Sequence, residues 1–332
     1  MAELRKDIIS GRWVIVNTDD PKRPEDFEQA RYEKKDGPCP FCYGNEYMTP
    51  PEIDAIRYEN TPANAPGWLV RVVPNKFPVL QIEGNLDSHG IGIFDMMNGI
   101  GAHEVIIETP YNDKSLTDLN DEEVSMAIEM FCRRCLDLKK DKRFKYILIF
   151  KNHGVLAGAS IRHEHSQLIA LPMVPKNVVE ELNGARRYYD LRERCVFCDI
   201  IRQELSEKER VVSENNDFVS FCPFVSRFPF EIHIYPKKHE VNFYTLESNK
   251  RLNLAKILKE VLLRLKGCLF DPAFNFVIHT APLAGNNYDY YHWHIEIIPR
   301  ISPVAGFEWG TGFYVVSTPP EIAINYLREV KI

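Results

Sequence analysis

The two halves of this 332-residue chain carry the same motifs in the same order, and this duplication limits its possible folds. In the first half, CPFC at 39–42 precedes a strand-like segment at 103–110, a helix-prone segment at 121–139, a strand at 146–150 and HEH at 163–165. In the second half, CVFC at 195–198 precedes a strand-like segment at 231–239, a helix-prone segment at 248–268, a strand at 274–279 and HWH at 292–294. A repeat of this kind indicates two copies of one structural unit.

Each unit combines several strands with one helix, which is typical of a domain whose helix covers one face of an antiparallel sheet. We therefore predict an α+β fold of two duplicated units, with antiparallel sheets and helices packed on one face. The charged, helix-prone segment 178–194 lies just before the second CxxC and marks the seam. The predicted domains are residues 1–177 and residues 178–332.

The charge and hydropathy of the chain exclude two classes of partner. A formal net charge of −6 argues against non-specific nucleic-acid binding, which needs a basic surface. No apolar run approaches the roughly 18 residues that span a bilayer, and no signal peptide is recognisable. We expect a cytoplasmic protein, in which paired cysteines indicate metal sites rather than disulfides.

The motif GASIRHEHSQ at 158–167 places two histidines just after a turn of small residues. The flanking runs YILIF and QLIAL are β-prone, so His163 and His165 are expected to point to the same face of a strand. Such a pair suits phosphate chemistry, because one imidazole can be fixed by a metal or a hydrogen bond while the other attacks. The amides of the turn can then hold phosphate oxygens.

Two groups of cysteines and histidines predict zinc sites, one or two per chain. The second half offers a closed, structural set: Cys195, Cys198, His239 and His292. The first half offers three ligands: Cys39, Cys42 and His163. Where the repeat would place a histidine, the chain reads Tyr111-Asn112-Asp113, and we assign Asn112 as the fourth ligand. Asp113, His103 or a water are alternatives, and this site could also bind weakly or stay empty.

A third CxxC, formed by Cys132 and Cys135, lies inside a predicted helix and has no matching histidine. We expect these two cysteines to pack in the core. The second HxH also lacks a following amide, since it reads His292-Trp-His294-Ile-Glu296. Chemistry is therefore predicted in the first half only.

The combination of GASxxHxHxQ, the upstream CPFC and RVVPNKFPVL at 71–80 resembles the galactose-1-phosphate uridylyltransferase family of the histidine-triad superfamily. The likeness extends from Gly11 to Val315 and includes the ADP-glucose phosphorylase branch of the family. It implies two histidine-triad-like units per chain and a homodimer in which the partner completes the active site. It also implies ping-pong transfer through a nucleotidyl-histidine.

Residue roles follow from the same resemblance. His165 corresponds to the nucleophile and His163 to a zinc ligand. The implied nucleotide- and phosphate-binding residues are Arg23, Asn75, Lys76, Asn152, Gly158, Ser160 and Gln167. The implied sugar-phosphate segment contains Glu308, Trp309 and Thr311. Relatives without the second CxxC bind a metal at positions matching Glu181, His279, His292 and His294, but the cysteines here favour the Cys2His2 assignment.

Departures from the family pattern leave the substrate open. The motif HEHSQ at 163–167, with Glu164 and Ser166, resembles the HSHSQ form of the phosphorylase branch. Asp20 stands where the family pattern has a nucleotide-binding arginine. The main hypothesis is uridylyl transfer between UDP-glucose and galactose 1-phosphate. The alternative is an ADP-glucose phosphorylase, in which inorganic phosphate is the acceptor. Further alternatives are a nucleotide hydrolase of the same fold and a zinc-stabilised nucleotide-binding module without turnover.

Overall fold

A computed structural model describes residues 2–27, 37–285 and 287–332. The described strands are β1 (Glu3–Lys6), β2 (Trp13–Val16), β3 (Asp54–Arg57), β4 (Trp68–Pro74), β5 (His89–Ile91), β6 (Phe94–Met96), β7 (Ala102–Ile107), β8 (Tyr146–His153), β9 (His165–Leu171), β10 (Val211–Glu214), β11 (Phe218–Phe221), β12 (Ile232–Pro236), β13 (Phe274–His279), β14 (His294–Pro299) and β15 (Tyr314–Val316). The described helices are α1 (Asp121–Leu138), α2 (Lys176–Arg192), α3 (Val196–Glu207), α4 (Ser248–Leu269), α5 (Gly306–Thr311) and α6 (Pro320–Glu329).

Ten strands form one antiparallel sheet in the order β10-β11-β12-β14-β13-β8-β9-β7-β4-β3. The two halves of the chain meet at the pairing of β8 with β13, where Asn152 lies opposite Asn275. Strands β1, β2 and β15 form a separate small sheet, and β5 with β6 forms a hairpin. The central sheet is therefore continuous across both halves.

The strand registers confirm the duplication. In the first half β9 lies between β7 and β8, and in the second half β14 lies between β12 and β13. Gln167 of β9 pairs with Val105, and Glu296 of β14 pairs with His233 at the matching position. The predicted α+β fold with antiparallel sheets is confirmed, while the domain boundary between 177 and 178, near the start of α2, stays a prediction.

The predicted helices over 121–139 and 248–268 are present as α1 and α4. Asn120 caps the first turn of α1, because its side chain accepts a hydrogen bond from the backbone N–H of Glu123. Both helices cover one sheet face, where they pack on alternate strand residues such as Ile149, Leu168 and Ile295. Cys132 and Cys135 are buried in α1, in this core.

Helices α2 and α3 pack against the opposite face of the sheet and form a second helical layer. The sequence predicted helices on one face only. Val178 of α2 and Phe197 of α3 share a cluster with Tyr146 and Tyr235 of the strands. None of the described helices has the length and apolar character needed to cross a bilayer.

Successive residues of β9 point to opposite faces of the sheet. Leu168 and Ala170 face α1 and α4, while His165 and Gln167 point to the other face.

Candidate functional site

His165 is the central residue of the candidate site. The chain approaches β9 through a turn in which Gly158 adopts a positive φ of 89°, a conformation that favours glycine. The Nδ1–H of His165 donates to the carbonyl of His163 at 2.7 Å, so the lone pair resides on Nε2. Burial lowers the pKa of His165 to about 4, which keeps the imidazole neutral near pH 7. The unprotonated Nε2 is therefore free to act as a nucleophile or as a base.

The structure brings predicted phosphate-binding amides to the same sheet face. Asn75 Nδ2 lies 3.5 Å from Gln167 Oε1, which joins the loop after β4 to β9. Asn152 lies beside the turn, since a Cβ built on Gly158 would be 3.7 Å from Asn152 Nδ2. Ser160 is exposed in that turn. These residues lie near His165 and Gln167 of β9.

Arg23 and Lys76 lie at the surface. The backbone N–H of Arg23 donates to Asp26, which fixes the start of a short helix at Pro24–Asp26. Lys76 follows Asn75 directly in the chain. Their predicted roles in nucleotide binding stay predictions.

A buried ionic cluster lies beneath His165, on the opposite face of β9. Lys151 Nζ lies 2.6 Å from Glu108 Oε2, also pairs with Glu164, and donates to the carbonyl of His165 at 3.1 Å. The hydroxyl of Ser166 donates to Glu108. The side chains of Lys151 and Glu108 are at most 1% exposed, so the ammonium is the buried counter-charge for its carboxylate partners.

This buried ionic cluster was not predicted from the sequence. Its members come from β8, the end of β7 and the HEHS segment, and pairings between strands are not visible in the sequence. The available signal was a lysine inside the apolar run of β8, at Lys151, together with Glu164 and Ser166 flanking the nucleophile. His153 extends the cluster, because its Nδ1 lies 3.0 Å from Glu164 Oε1.

The first predicted metal group assembles around His163. Its Nδ1 lies 3.3 Å from Cys39 Sγ and 3.5 Å from Cys42 Sγ. A tetrahedral zinc ion with bonds of about 2.3 Å to sulfur and about 2.0 Å to nitrogen separates those atoms by about 3.5 Å. The Nε2–H of His163 donates to the carbonyl of Thr109 at 2.5 Å, which leaves Nδ1 unprotonated and directed toward the sulfurs. The donor set and its geometry fit zinc.

Among the described His, Cys, Asp and Glu side chains, this group contains only Cys39, Cys42 and His163 within 4.8 Å of one another. The alternative of His103 as fourth ligand is wrong, because register places it farther along β7, where it contacts Gln167. The backbone N–H of Asn112 points to the sulfur of Cys42. Ligation by the Asn112 side chain stays a prediction.

The second predicted metal group is complete. Cys195, Cys198, His239 and His292 offer four donor atoms within 4.8 Å of one another. Cys198 Sγ lies 3.3 Å from His239 Nδ1 and 3.5 Å from His292 Nδ1. Hydrogen bonds from Cys195 and from both histidines lower the pKa of Cys198 to about 3, as expected for a thiolate ligand. The Nε2–H of His292 donates to the carbonyl of Pro236, as its counterpart in the first half does to Thr109.

A third cluster lies in the second half of the chain, at the positions that match His165 and Gln167 of the first half. Glu181, His279, His294 and Glu296 lie together, so Glu296 takes the position that the family pattern gave to His292. They line a cavity of about 690 Å³. Although burial opposes it, the carboxylates of Glu181 and Glu296 raise the pKa of His279 to about 10. This acidic site suits a proton or a cation rather than a phosphate.

Comparisons with known proteins agree with this geometry. Residues 181–304 match the C-terminal domain of galactose-1-phosphate uridyl transferase, and residues 93–174 match an N-terminal domain of unknown function (DUF4931). The chain is 36% identical to ADP-glucose phosphorylase of Arabidopsis thaliana, across 99% of this chain and 93% of that protein. It is 29% identical to galactose-1-phosphate uridylyltransferase of Thermotoga maritima, across 100% and 99%.

Two solved structures superpose over almost the whole chain. The Arabidopsis thaliana ADP-glucose phosphorylase with bound ADP-glucose gives a TM-score of 0.84 at 34% identity, covering 100% of this chain and 99% of that one. A uridylyltransferase structure gives 0.76 at 28% identity, covering 99% and 98%. This chain belongs to the galactose-1-phosphate uridylyltransferase family.

The segment predicted to bind the sugar phosphate lies on α5, at the surface. Trp309 is 80% exposed. Glu308 accepts a hydrogen bond from the backbone of Ala305, and Thr311 donates to the carbonyl of Phe307. These contacts are local, so the predicted roles of Glu308, Trp309 and Thr311 stay predictions.

Replacing Lys151 with Met leaves the buried carboxylates of Glu108 and Glu164 without their ammonium partner. We expect the free energy of unfolding to fall by about 3–5 kcal/mol. Lys140→Met is the control, because Lys140 is 78% exposed and such pairs contribute about 0–1 kcal/mol. Urea denaturation followed by circular dichroism measures both, and equal losses in the two variants would contradict a stabilising role for the cluster.

Proposed function

We propose that the protein is a nucleotidyltransferase that moves a nucleoside monophosphate from a sugar nucleotide through a covalent nucleotidyl-His165. The observation that carries this proposal is the buried, neutral imidazole of His165, whose Nδ1–H is held by the carbonyl of His163 at 2.7 Å. With Nδ1 occupied, Nε2 is the atom available to attack phosphorus.

In the first step, the Nε2 lone pair of His165 attacks the α-phosphorus of the sugar nucleotide. The bond between that phosphorus and the oxygen bridging to the β-phosphate breaks, and the sugar 1-phosphate leaves. In the second step, an oxygen of the acceptor phosphate attacks the same phosphorus and the P–N bond breaks. Amide N–H groups of Gln167 and Asn152 would stabilise charge on the non-bridging oxygens.

We propose ADP-glucose as the donor and inorganic phosphate as the acceptor. Three findings support this: the 36% identity to an ADP-glucose phosphorylase, the structural likeness to a relative that holds ADP-glucose, and the HEHSQ motif with Glu164 and Ser166. The 29% identity to a uridylyltransferase keeps UDP-glucose with galactose 1-phosphate as the second candidate. This order reverses that of the main hypothesis from the sequence.

We also propose that each chain binds zinc at both cysteine–histidine groups. Zinc would hold thiolates and imidazoles in a tetrahedron and so stabilise the fold around each group. In the first half, such a site would immobilise His163, and with it the carbonyl that orients His165. Its role would be to position the nucleophile rather than to activate a water.

We also propose an oligomeric state and a cellular compartment for the enzyme. We infer a homodimer in which α5 of one chain completes the site of its partner, and the exposure of Trp309 supports this. We propose that the enzyme acts in the cytoplasm. None of the eight cysteines is paired in a disulfide, which suits a reducing compartment.

Incubation with ADP-glucose alone is expected to add one adenylate to the protein, detected by intact-protein mass spectrometry and mapped to His165. His165→Gly should abolish the adduct and lower turnover at least about 10⁴-fold, because the nucleophile is lost. His89→Gly is the matched control, since His89 is exposed on a hairpin outside the site. An adduct that persists in His165→Gly would overturn the proposal. So would the absence of any adduct when wild type is incubated with ADP-glucose and, separately, with UDP-glucose.

The acceptor is identified by chasing the isolated adduct. We expect inorganic phosphate to release ADP faster than galactose 1-phosphate releases a nucleotide sugar, and buffer alone to release AMP slowly. Preferential discharge to galactose 1-phosphate would favour the uridylyltransferase alternative. Rapid discharge to water would identify a hydrolase.

Metal analysis tests the zinc proposal. We expect Cys198→Ser to lower bound zinc by one ion per chain and to lower the thermal midpoint, because it removes one of four ligands. Cys268→Ala is the control, since Cys268 lies in the hydrophobic core. An unchanged zinc content in Cys198→Ser would contradict the assignment.

A further inference from the structure

The orientation of the Gln167 amide is fixed by a chain of hydrogen bonds that begins at the backbone. The N–H of Val79 can only donate, and it lies 3.3 Å from Nδ1 of His103. The proton of the His103 ring therefore resides on Nε2, which lies 2.8 Å from Gln167 Oε1. The NH2 group of Asn75, whose Oδ1 accepts the N–H of Phe77 at 2.9 Å, lies 3.0 Å from the same Nε2 and 3.5 Å from the Gln167 oxygen. Because the ring N–H and this NH2 group are both donors, they converge on the Gln167 oxygen. The amide oxygen of Gln167 is thus the acceptor, and its NH2 group is left for another partner.

The Asn152 amide is fixed in the same way from the second half of the chain. Asn275 Nδ2 lies 2.9 Å from the carbonyl of Ala157, which can only accept, so this end of the Asn275 side chain is the NH2 group. The same Nδ2 donates to Asn152 Oδ1 at 2.8 Å. The NH2 group of Asn152 is therefore turned away from Asn275, on the side where Gly158 turns.

An amide presents either a donor or an acceptor depending on a 180° flip, and a phosphate accepts hydrogen bonds only from donors. We infer that His103 and Asn275 are positioning residues that hold the amides of Gln167 and Asn152 with their NH2 groups toward the transferred phosphate. This inference rests on the proposed function. It also accounts for the direction of the buried His103 ring. The ring faces Gln167 rather than either cysteine–histidine group.

The second half shows that the fold itself does not require this arrangement. The register places Glu296 where the first half has Gln167, and His279 where it has Asn152. Those groups form an acidic cluster instead of a pair of tied amides. The hydrogen-bond relays from Val79 and Ala157 are therefore features of the first site.

The test is the single-turnover rate of adenylate transfer from ADP-glucose to His165, measured with the dissociation constant of ADP-glucose. We expect His103→Leu and Asn275→Asp to lower the rate at saturation about 10- to 100-fold, because a misoriented amide withdraws one donor from the developing charge. The dissociation constant should change less than about threefold, because binding to the ground state uses many other contacts. His103→Gln should restore the rate to near wild type, since its amide can accept from Val79 and donate to Gln167.

Several outcomes would overturn the inference. A wild-type rate in His103→Leu or in Asn275→Asp would do so, as would equal losses in His103→Leu and His103→Gln, which would point to packing alone. Asn275→Asp is nearly isosteric, so it remains informative if His103→Leu does not fold. His89→Leu is the control for loss of an exposed histidine. Failure of the proposed function is distinguishable, because wild type itself would then form no adduct.

Discussion

His163 connects the parts of the site, and the rest of the arrangement depends on its hydrogen bonds. Its ring directs Nδ1 to the sulfurs of Cys39 and Cys42 while Nε2–H donates to Thr109. Its backbone carbonyl accepts the Nδ1–H of His165. One residue therefore links the cysteine group to the tautomer of the nucleophile, so that disturbing the ring is expected to disturb the reacting atom.

Strand alternation separates two tasks along β9. His165 and Gln167 point away from α1 and α4, while Glu164, just before the strand, and Ser166 point toward them and join the buried cluster around Lys151. The ammonium also binds the carbonyl of His165. Substitutions at His165 or Gln167 are therefore expected to lower the transfer rate. Substitutions at the neighbouring Glu164 or Ser166 are expected to lower the stability of the fold.

Much of the fold could be predicted from the sequence because its signals are local or repeated. The helices α1 and α4, the antiparallel units and the assembly of the cysteines with His163 and His292 follow from periodicity and spacing. Register could not be predicted, since it depends on pairings between distant strands. For that reason the roles of His103 and Lys151 were missed, and α2 with α3 on the second face was not anticipated. The roles predicted for Glu308, Trp309 and Thr311 on α5 remain predictions, because in the proposed homodimer they would act at the site of a partner chain.

In the proposed mechanism, Nε2 of His165 carries the nucleotide, and neighbouring protein groups fix which amide atoms face the phosphate as donors. A crystal structure of the adduct trapped without acceptor tests this most directly. We expect phosphorus bonded to Nε2 of His165, the Nδ1–H still donating a hydrogen bond to the carbonyl of His163, and the Gln167 NH2 group about 3 Å from a non-bridging oxygen. Phosphorus on Nδ1 or on another residue, or the Gln167 oxygen facing the phosphate, would contradict it.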